Sequence, residues 1–314
     1  MSNQSQSSGP ASTAAALQQA AFIPPPPGEV LGHPKGLWML FGTEFWERFM
    51  YYGMRAILAP YVAATFFSHM GDKADEQASL TYGGYTAMVY MTGIAGGYVA
   101  DRILGYQRSI MLGGFLMALG MFLLLAPSIT VFLIGLGVLV VGNGLFKPNI
   151  STMVGKLYAP GDVRRDSGFT IFYMGINAGA FIAPIVCGGI VGAIFGFKWG
   201  FFTAGIGMIL GLMVFQALKG WLGEVGRPPA DKQGFGSVFQ VAIGALMLVV
   251  PVFFLLSRSD VLGILLLIMM AGLIAYFIYS GFASKDKVQL HRYIAMLILF
   301  AAFLALPVLA LLAS

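Results

Sequence analysis

The chain has 314 residues, 58% of them hydrophobic and only 10% charged, with a mean hydropathy of +0.82. A water-soluble globule is excluded, because so few charged side chains leave too little polar surface to cover that much apolar material. The net charge of +5 is scattered through short loops rather than gathered on a face or tail, the pattern of orientation signals, and no nucleic-acid partner is expected. One cysteine, Cys187, and three separated histidines, His33, His69 and His291, offer no disulfide framework and no metal site, and no cofactor is expected.

Residues 1–36 are rich in Ser, Gln, Ala and Pro, run through Pro24–Pro27, and carry neither a basic leader nor an apolar core; they read as a disordered cytoplasmic tail. Apolar runs then recur at about 37–66, 80–100, 108–126, 131–155, 168–192, 199–218, 236–256, 261–282 and 293–313, nine candidate spans. They are continuously apolar, without the two-residue alternation of a β-barrel. With the N-terminus inside, Lys35, Arg102, Arg108, Lys156, Arg164, Arg165, Lys219, Arg227, Lys232, Lys285, Lys287 and Arg292 fall in inner loops, against Lys73, Lys198 and Arg258 outside. That asymmetry supports an N-terminus in the cytoplasm. Glycines four apart recur at Gly93/Gly97, Gly175/Gly179, Gly188/Gly192 and Gly207/Gly211, where helices can approach closely; tight packing and a role in movement fit these pairs equally.

Three bases, Arg48, Arg55 and Lys147, and two acids, Glu44 and Glu47, lie inside spans. Facing lipid singly they would cost roughly 12–18 kcal/mol in all, so they must be paired or face water. Positions 44, 47, 48, 51, 52 and 55 of the first span follow i, i+3, i+4, i+7, i+8, i+11 and form one helical stripe about 16 Å long. A structural ion-pair network accounts for it. A polar pathway accounts better for the interleaved Tyr51 and Tyr52, which donate and accept hydrogen bonds and suit proton exchange and recognition of a charged solute. Lys147 adds a cation beside the helix breaker Pro148, where backbone groups can face a cavity, and Asn143 lies on its face one turn earlier. Tyr173 and Asn177 read equally as interhelical glue; Tyr82, Thr86 and Tyr90 read first as aromatic packing. An intramembrane enzyme is disfavoured, since no histidine lies in a span and Cys187 has no evident partner.

Glu44-x-x-Glu47-Arg48-Phe-x-Tyr51-Tyr52-Gly53 resembles the ExxERFxYYG signature of the proton-dependent oligopeptide transporter family of the major facilitator superfamily. Gly97-Tyr-Val-Ala-Asp101-Arg102-Ile-Leu-Gly105-Tyr-Gln-Arg108 resembles the superfamily's loop between its second and third spans. Phe172-Tyr173-x-x-Ile176-Asn177-x-Gly179 resembles the family's FYxxINxG motif. The resemblance covers roughly 37–292. It implies an all-α polytopic membrane protein: an N-terminal six-helix bundle of major-facilitator type over 37–218, a cytoplasmic linker over 219–235, two inserted helices over 236–290 and, over 291–314, the start of a C-terminal bundle, about three spans beyond the first six. It implies proton-coupled symport of di- and tripeptides, with Glu44, Glu47, Arg48 and Lys147 coupling protons. Arg55, Tyr52, Tyr90, Lys147 and Asn177 are implied on the peptide side, Tyr51 in a less defined role, and Asp101, Arg102 and Arg108 as a gating loop. In that scheme Lys147 neutralises Glu47 in the empty carrier, and the peptide's carboxylate competes for Lys147 and Arg55.

The sequence departs from the family after this point. The span Ile294–Leu312 has no charge and no Trp, and no acid follows Asp286, whereas the family's second bundle opens with an FWxxxEQ-like stretch. The expectation is a shortened chain supplying one wall of a carrier, with an inert fragment, a half that pairs with another chain, and a carrier of nitrate or other small anions as alternatives. Membrane lipid and protons are the other expected partners; the sequence is silent on oligomeric state.

Overall fold

The computed structural model describes residues 22–229, 232, 234–283 and 288–299. They divide between two compact units, Met1–Ser257 and Arg258–Ser314. In the first, two short strands, β1 (Glu29–Val30) and β2 (His33–Pro34), pair antiparallel and lead into α1 (Lys35–Phe66). A 3₁₀ segment, Ser68–Lys73, joins α1 to α2 (Ala74–Val99), which continues as a π-helical turn through Leu104. Then follow α3 (Gly105–Leu123), α4 (Ile129–Lys156), α5 (Arg165–Ala183), α6 (Phe197–Leu218) and α7 (Phe235–Ser257). α5 runs on through a π-helical stretch, Pro184–Gly192, and a last turn, Ala193–Phe195. The second unit contains α8 (Ser259–Ala283) and an apolar helix, Val288–Leu299, whose Tyr293 ring lies 5.4 Å from that of Phe277.

Each of α1 to α8 starts a little before its apolar run, because backbone hydrogen bonding begins before hydropathy rises. α2, for example, starts at Ala74 rather than 80, with Asp75 and Glu76 in its first turn, where carboxylates favour the positive end of the helix dipole. Among the described residues five helices are apolar and long enough to cross a membrane by composition alone. α1 falls outside that group because its charged stripe and tyrosines dilute its hydropathy. Of the expected ninth span, 293–313, the part from residue 300 onward lies outside the described residues.

α4 is the central pillar, packed against α2, α3 and α7, while α1 packs against α5 and α6. α7 thus packs with the bundle through α4. Pro148 does not break α4, which is continuous through it. The missing proline N–H leaves the Gly144 carbonyl without its usual helical donor, and that carbonyl meets Gly96 of α2 so closely that a Cβ on Gly96 would lie 1.8 Å from it. Asn149 Nδ2 ties the same place, donating to the Gly96 carbonyl at 3.2 Å. Close approach also holds at Gly175 and Gly179 against α1, but Gly93 and Gly97 face open space; on α2 the packing glycine is the one between them.

Residues 22–34 correct the expectation of a disordered tail through residue 36; the part of that tail over 1–21 lies outside the described residues. Trp38 Nε1 donates to the Val30 carbonyl at 2.9 Å, His33 Nδ1 lies 2.8 Å from the Tyr158 hydroxyl, and Arg164 pairs with Glu29 at 2.6 Å. Prolines stiffen this segment, so ordering it costs less chain entropy than a flexible sequence would. It crosses the end of the bundle that carries Lys35, Arg102, Arg108, Lys156, Arg164, Arg165, Lys219 and Arg227, called here the basic end.

Candidate functional site

The charged stripe of α1 is buried in the middle of the first unit: Glu47 is 0% exposed, Glu44 2% and Arg48 3%. Arg48 Nε reaches Glu44 Oε1 at 3.2 Å, one helical turn away, and hydrogen-bonds Glu47 Oε2. Asn143 Nδ2 of α4 donates to the other Glu47 oxygen at 3.4 Å. One guanidinium therefore bridges two carboxylates. Glu44 Oε2 and Arg48 Nη2 have no hydrogen-bond partner, so the cluster keeps one acceptor and one donor in reserve. An unpaired charge at such a place is costly.

The stripe then turns aromatic. Tyr51 and Tyr52 each lie within 6.0 Å of both guanidinium groups: Arg48 Cζ is 5.0 and 6.0 Å from their ring centroids and Arg55 Cζ 5.5 and 5.9 Å. Such contacts hold cations without neutralising them. Arg55 also donates through Nε to the Tyr82 hydroxyl at 2.6 Å, with Nη2 bonded to the same oxygen, and sits 5.1 Å from that ring. Tyr82 thus joins the site, although it is not among the residues expected there. Its signal was the fourfold spacing Tyr82, Thr86, Tyr90 on α2, read as packing.

Lys147 is half-buried with its ammonium 5.0 Å from the Tyr90 ring centroid, and no ion pair joins it to Glu44 or Glu47. The expected Lys147–Glu47 pair is thus replaced by Arg48, which is adjacent to Glu47 in sequence and needs no reach across helices. Tyr90 and Tyr173 are 65% and 59% exposed, and Asn177 is exposed on the same helix as Tyr173; the structure does not bring Asn177 into contact with the charged cluster. The loop residues separate too. Asp101 accepts from the Tyr106 hydroxyl, Arg102 is exposed, and Arg108 Nη1 donates to the Lys232 and Gly234 carbonyls at 3.3 and 3.1 Å. Cys187 is buried against Gly53, and among the described residues no group of His, Cys, Asp and Glu could hold a metal.

The polytopic helical bundle and its buried ion cluster were compared with known proteins. Residues 107–310 match the POT family, and the chain belongs to that family. It is 39% identical over 285 residues to the peptide transporter YePEPT of Yersinia enterocolitica, covering 82% of this chain and 55% of that protein. It is 46% identical over 211 residues to a di-/tripeptide transporter of Lactococcus lactis, covering 64% and 41%. A crystal structure of a peptide transporter POT mutant in complex with alafosfalin superposes with a TM-score of 0.72 at 38% identity, over 92% of this chain and 60% of the other. The chain spans about half the length of these relatives.

Proposed function

We propose that this chain provides the proton-coupling core and one wall of the substrate site of a proton-driven di-/tripeptide symporter, in a bacterial inner membrane with the basic end in the cytoplasm. The observation that carries the reading is the buried Glu44–Arg48–Glu47 bridge. A proton delivered to either carboxylate removes one of the two charges that hold Arg48, so protonation is converted into a change of side-chain partners. The half-exposed Lys147 and Arg55 remain available to a peptide carboxylate, with Tyr52, Tyr90 and Asn177 beside it. Coupling then follows from exchange: whatever draws Lys147 or Arg48 away alters the proton affinity of the acids, and the effect is reciprocal. Nothing in this scheme alters the covalent structure of the peptide, so the protein is read as a carrier and not an enzyme.

The test is uptake of labelled dialanine by liposomes containing the purified chain, with and without an inward proton gradient. Gradient-dependent uptake that Glu47→Gln abolishes, while dialanine counterflow in the same variant survives, is the expected result. Equal loss of both would reduce the cluster to a structural lock, and competition by nitrate instead of dipeptide would reassign the substrate. The exposure of Tyr90, Tyr173 and Asn177 favours a second reading, in which transport needs a further bundle as the opposite wall. In that case uptake appears only with a partner chain, and the mass of the solubilised particle exceeds that of one polypeptide.

A further inference from the structure

Between α2, α4 and α7 lies a cavity of about 340 Å³. Val99 and Ile103 of α2 and its π-helical turn, Val141 and Leu145 of α4, and Val241 and Leu248 of α7 wall it, and the close approach of Gly96 to Gly144 forms its floor. α7 seats one face on α4: Ala245, Val249 and Val252 are buried, and Val249 Cγ1 lies 3.2 Å from where a Cβ on Gly137 would stand. Beside that face Gly244 leaves the gap, since a Cβ there would meet nothing within 4 Å. The slot runs along the helices, and from Gln240 to Leu248 its α7 side is about 12 Å long. Among the described residues two polar side chains line it, Thr92 and Gln240. Thr92 Oγ1 already donates to the Val140 carbonyl at 3.1 Å, whereas the exposed Gln240 amide has no side-chain hydrogen bond.

α7 has 23 residues, about 34 Å of helix, so the slot lies at the depth of the hydrocarbon layer, about 30 Å thick, with Gln240 toward its edge at the basic end. What fills it must suit that depth. Water finds too few partners in an apolar cavity. A helix, about 10 Å across, displaces more volume over that length than the slot holds. An extended peptide is thin enough, but it would strand its backbone N–H and C=O groups in hydrocarbon. A polymethylene chain is thin and has no polar group to satisfy. We propose that the slot takes one acyl chain of a membrane phospholipid, with the ester carbonyl accepting a hydrogen bond from Gln240 Nε2. That carbonyl is the acceptor a phospholipid carries where its chain begins, and Gln240 stands at the end of the slot nearer the headgroups. The site is separate from the charged stripe of α1 and does not depend on the transport reading.

Native mass spectrometry of the detergent-solubilised chain, offered diester phosphatidylethanolamine, tests it. The unmodified chain is expected to retain the lipid, and Gly244→Leu, whose side chain grows into the open slot, to lose it. Gly83→Leu, at an equally open glycine near the other end of α2, should retain it in full. A dialkyl ether analogue, which lacks the carbonyl, should be held about fivefold more weakly than the diester by the unmodified chain, the contribution of one hydrogen bond, and equally with it by Gln240→Leu. A retained lipid with a photoreactive acyl chain should label the peptides containing Val99 and Val241 of the unmodified chain, a readout that needs no variant to fold. No retention, retention unaltered in Gly244→Leu, equal loss in Gly83→Leu, an equal hold of the unmodified chain on diester and ether lipids, or labelling elsewhere would each overturn the proposal. So would a larger particle, free of lipid, that Gly244→Leu dissociates, which would give this face to another polypeptide.

Discussion

A single carboxylate shows how far local chemistry reaches in this molecule. Asp162, in the loop between α4 and α5, accepts from the Arg164 backbone N–H at 2.9 Å and from its guanidinium at 3.1 and 2.8 Å, and those bonds hold its carboxyl below the ordinary value of 3.8. The same guanidinium grips Glu29 and the Gly32 carbonyl, so Asp162 orients the clamp on residues 22–34. A depressed carboxylate contributes stability above its ordinary value and loses it as pH falls through the lower, folded one. Amide exchange of residues 22–34, corrected for its intrinsic pH dependence, should therefore be slow at pH 7 and accelerate below about pH 3.8. In Asp162→Asn it should already be faster at pH 7 and show a smaller acid step; an unchanged acid step would show that Asp162 does not orient the clamp. Nearby, burial pushes the Tyr158 hydroxyl up to about 12, so it stays protonated beside His33 throughout this range. None of this clamp was legible in the sequence, because Glu29, His33, Tyr158 and Arg164 are ordinary loop residues until the chain brings them together. The α1 stripe was legible for the opposite reason: charges inside an apolar run carry a cost that only pairing relieves, and helical periodicity says they share a face. Which cation takes which carboxylate was not, since Arg48 and Lys147 are equivalent in a pattern of charges and differ only in reach.

Helix positions were readable because each span is continuously apolar, whereas helix contacts depend on which side of a helix meets a neighbour. Gly93 and Gly97 have the spacing of a packing motif, yet Gly96 makes the contact, directed by the carbonyl that Pro148 leaves unbonded four residues upstream at Gly144. The α2–α4 seam should consequently be sensitive at one glycine and tolerant at its neighbours. Gly96→Val is expected to destabilise the detergent-solubilised protein by about 1–3 kcal/mol, as overpacking does, with a lower midpoint in thermal unfolding followed by tryptophan fluorescence. Gly93→Ala should leave that midpoint unchanged or slightly raised, since alanine favours the helix. Equal effects at the two positions would mean that the seam can open without penalty. The π-helical turns at Ala100–Leu104 and Pro184–Gly192 were invisible beforehand, because nothing in hydropathy distinguishes a widened turn from an ordinary one.

For the molecule as a whole, the distribution of bases assigns the two ends of the bundle to opposite sides of a membrane. Cysteines introduced at the exposed Ser68 and Ser167, at opposite ends of the first unit, provide the check; native Cys187 is buried. In intact cells an impermeant maleimide should modify Ser68→Cys and spare Ser167→Cys until the membrane is opened, and the reverse order would invert the proposed orientation. The connection between α5 and α6 has a consequence for how the protein is made. Only Gly196, at φ +94°, separates Phe195 from Phe197, so these two helices have no loop in which one could wait for the other. Arg164 and Arg165 precede the pair, and Lys219 follows it. On the proposed orientation, α5 and α6 enter the bilayer together during synthesis as a closed hairpin, with a single turn drawn across the lipid while both flanks stay behind.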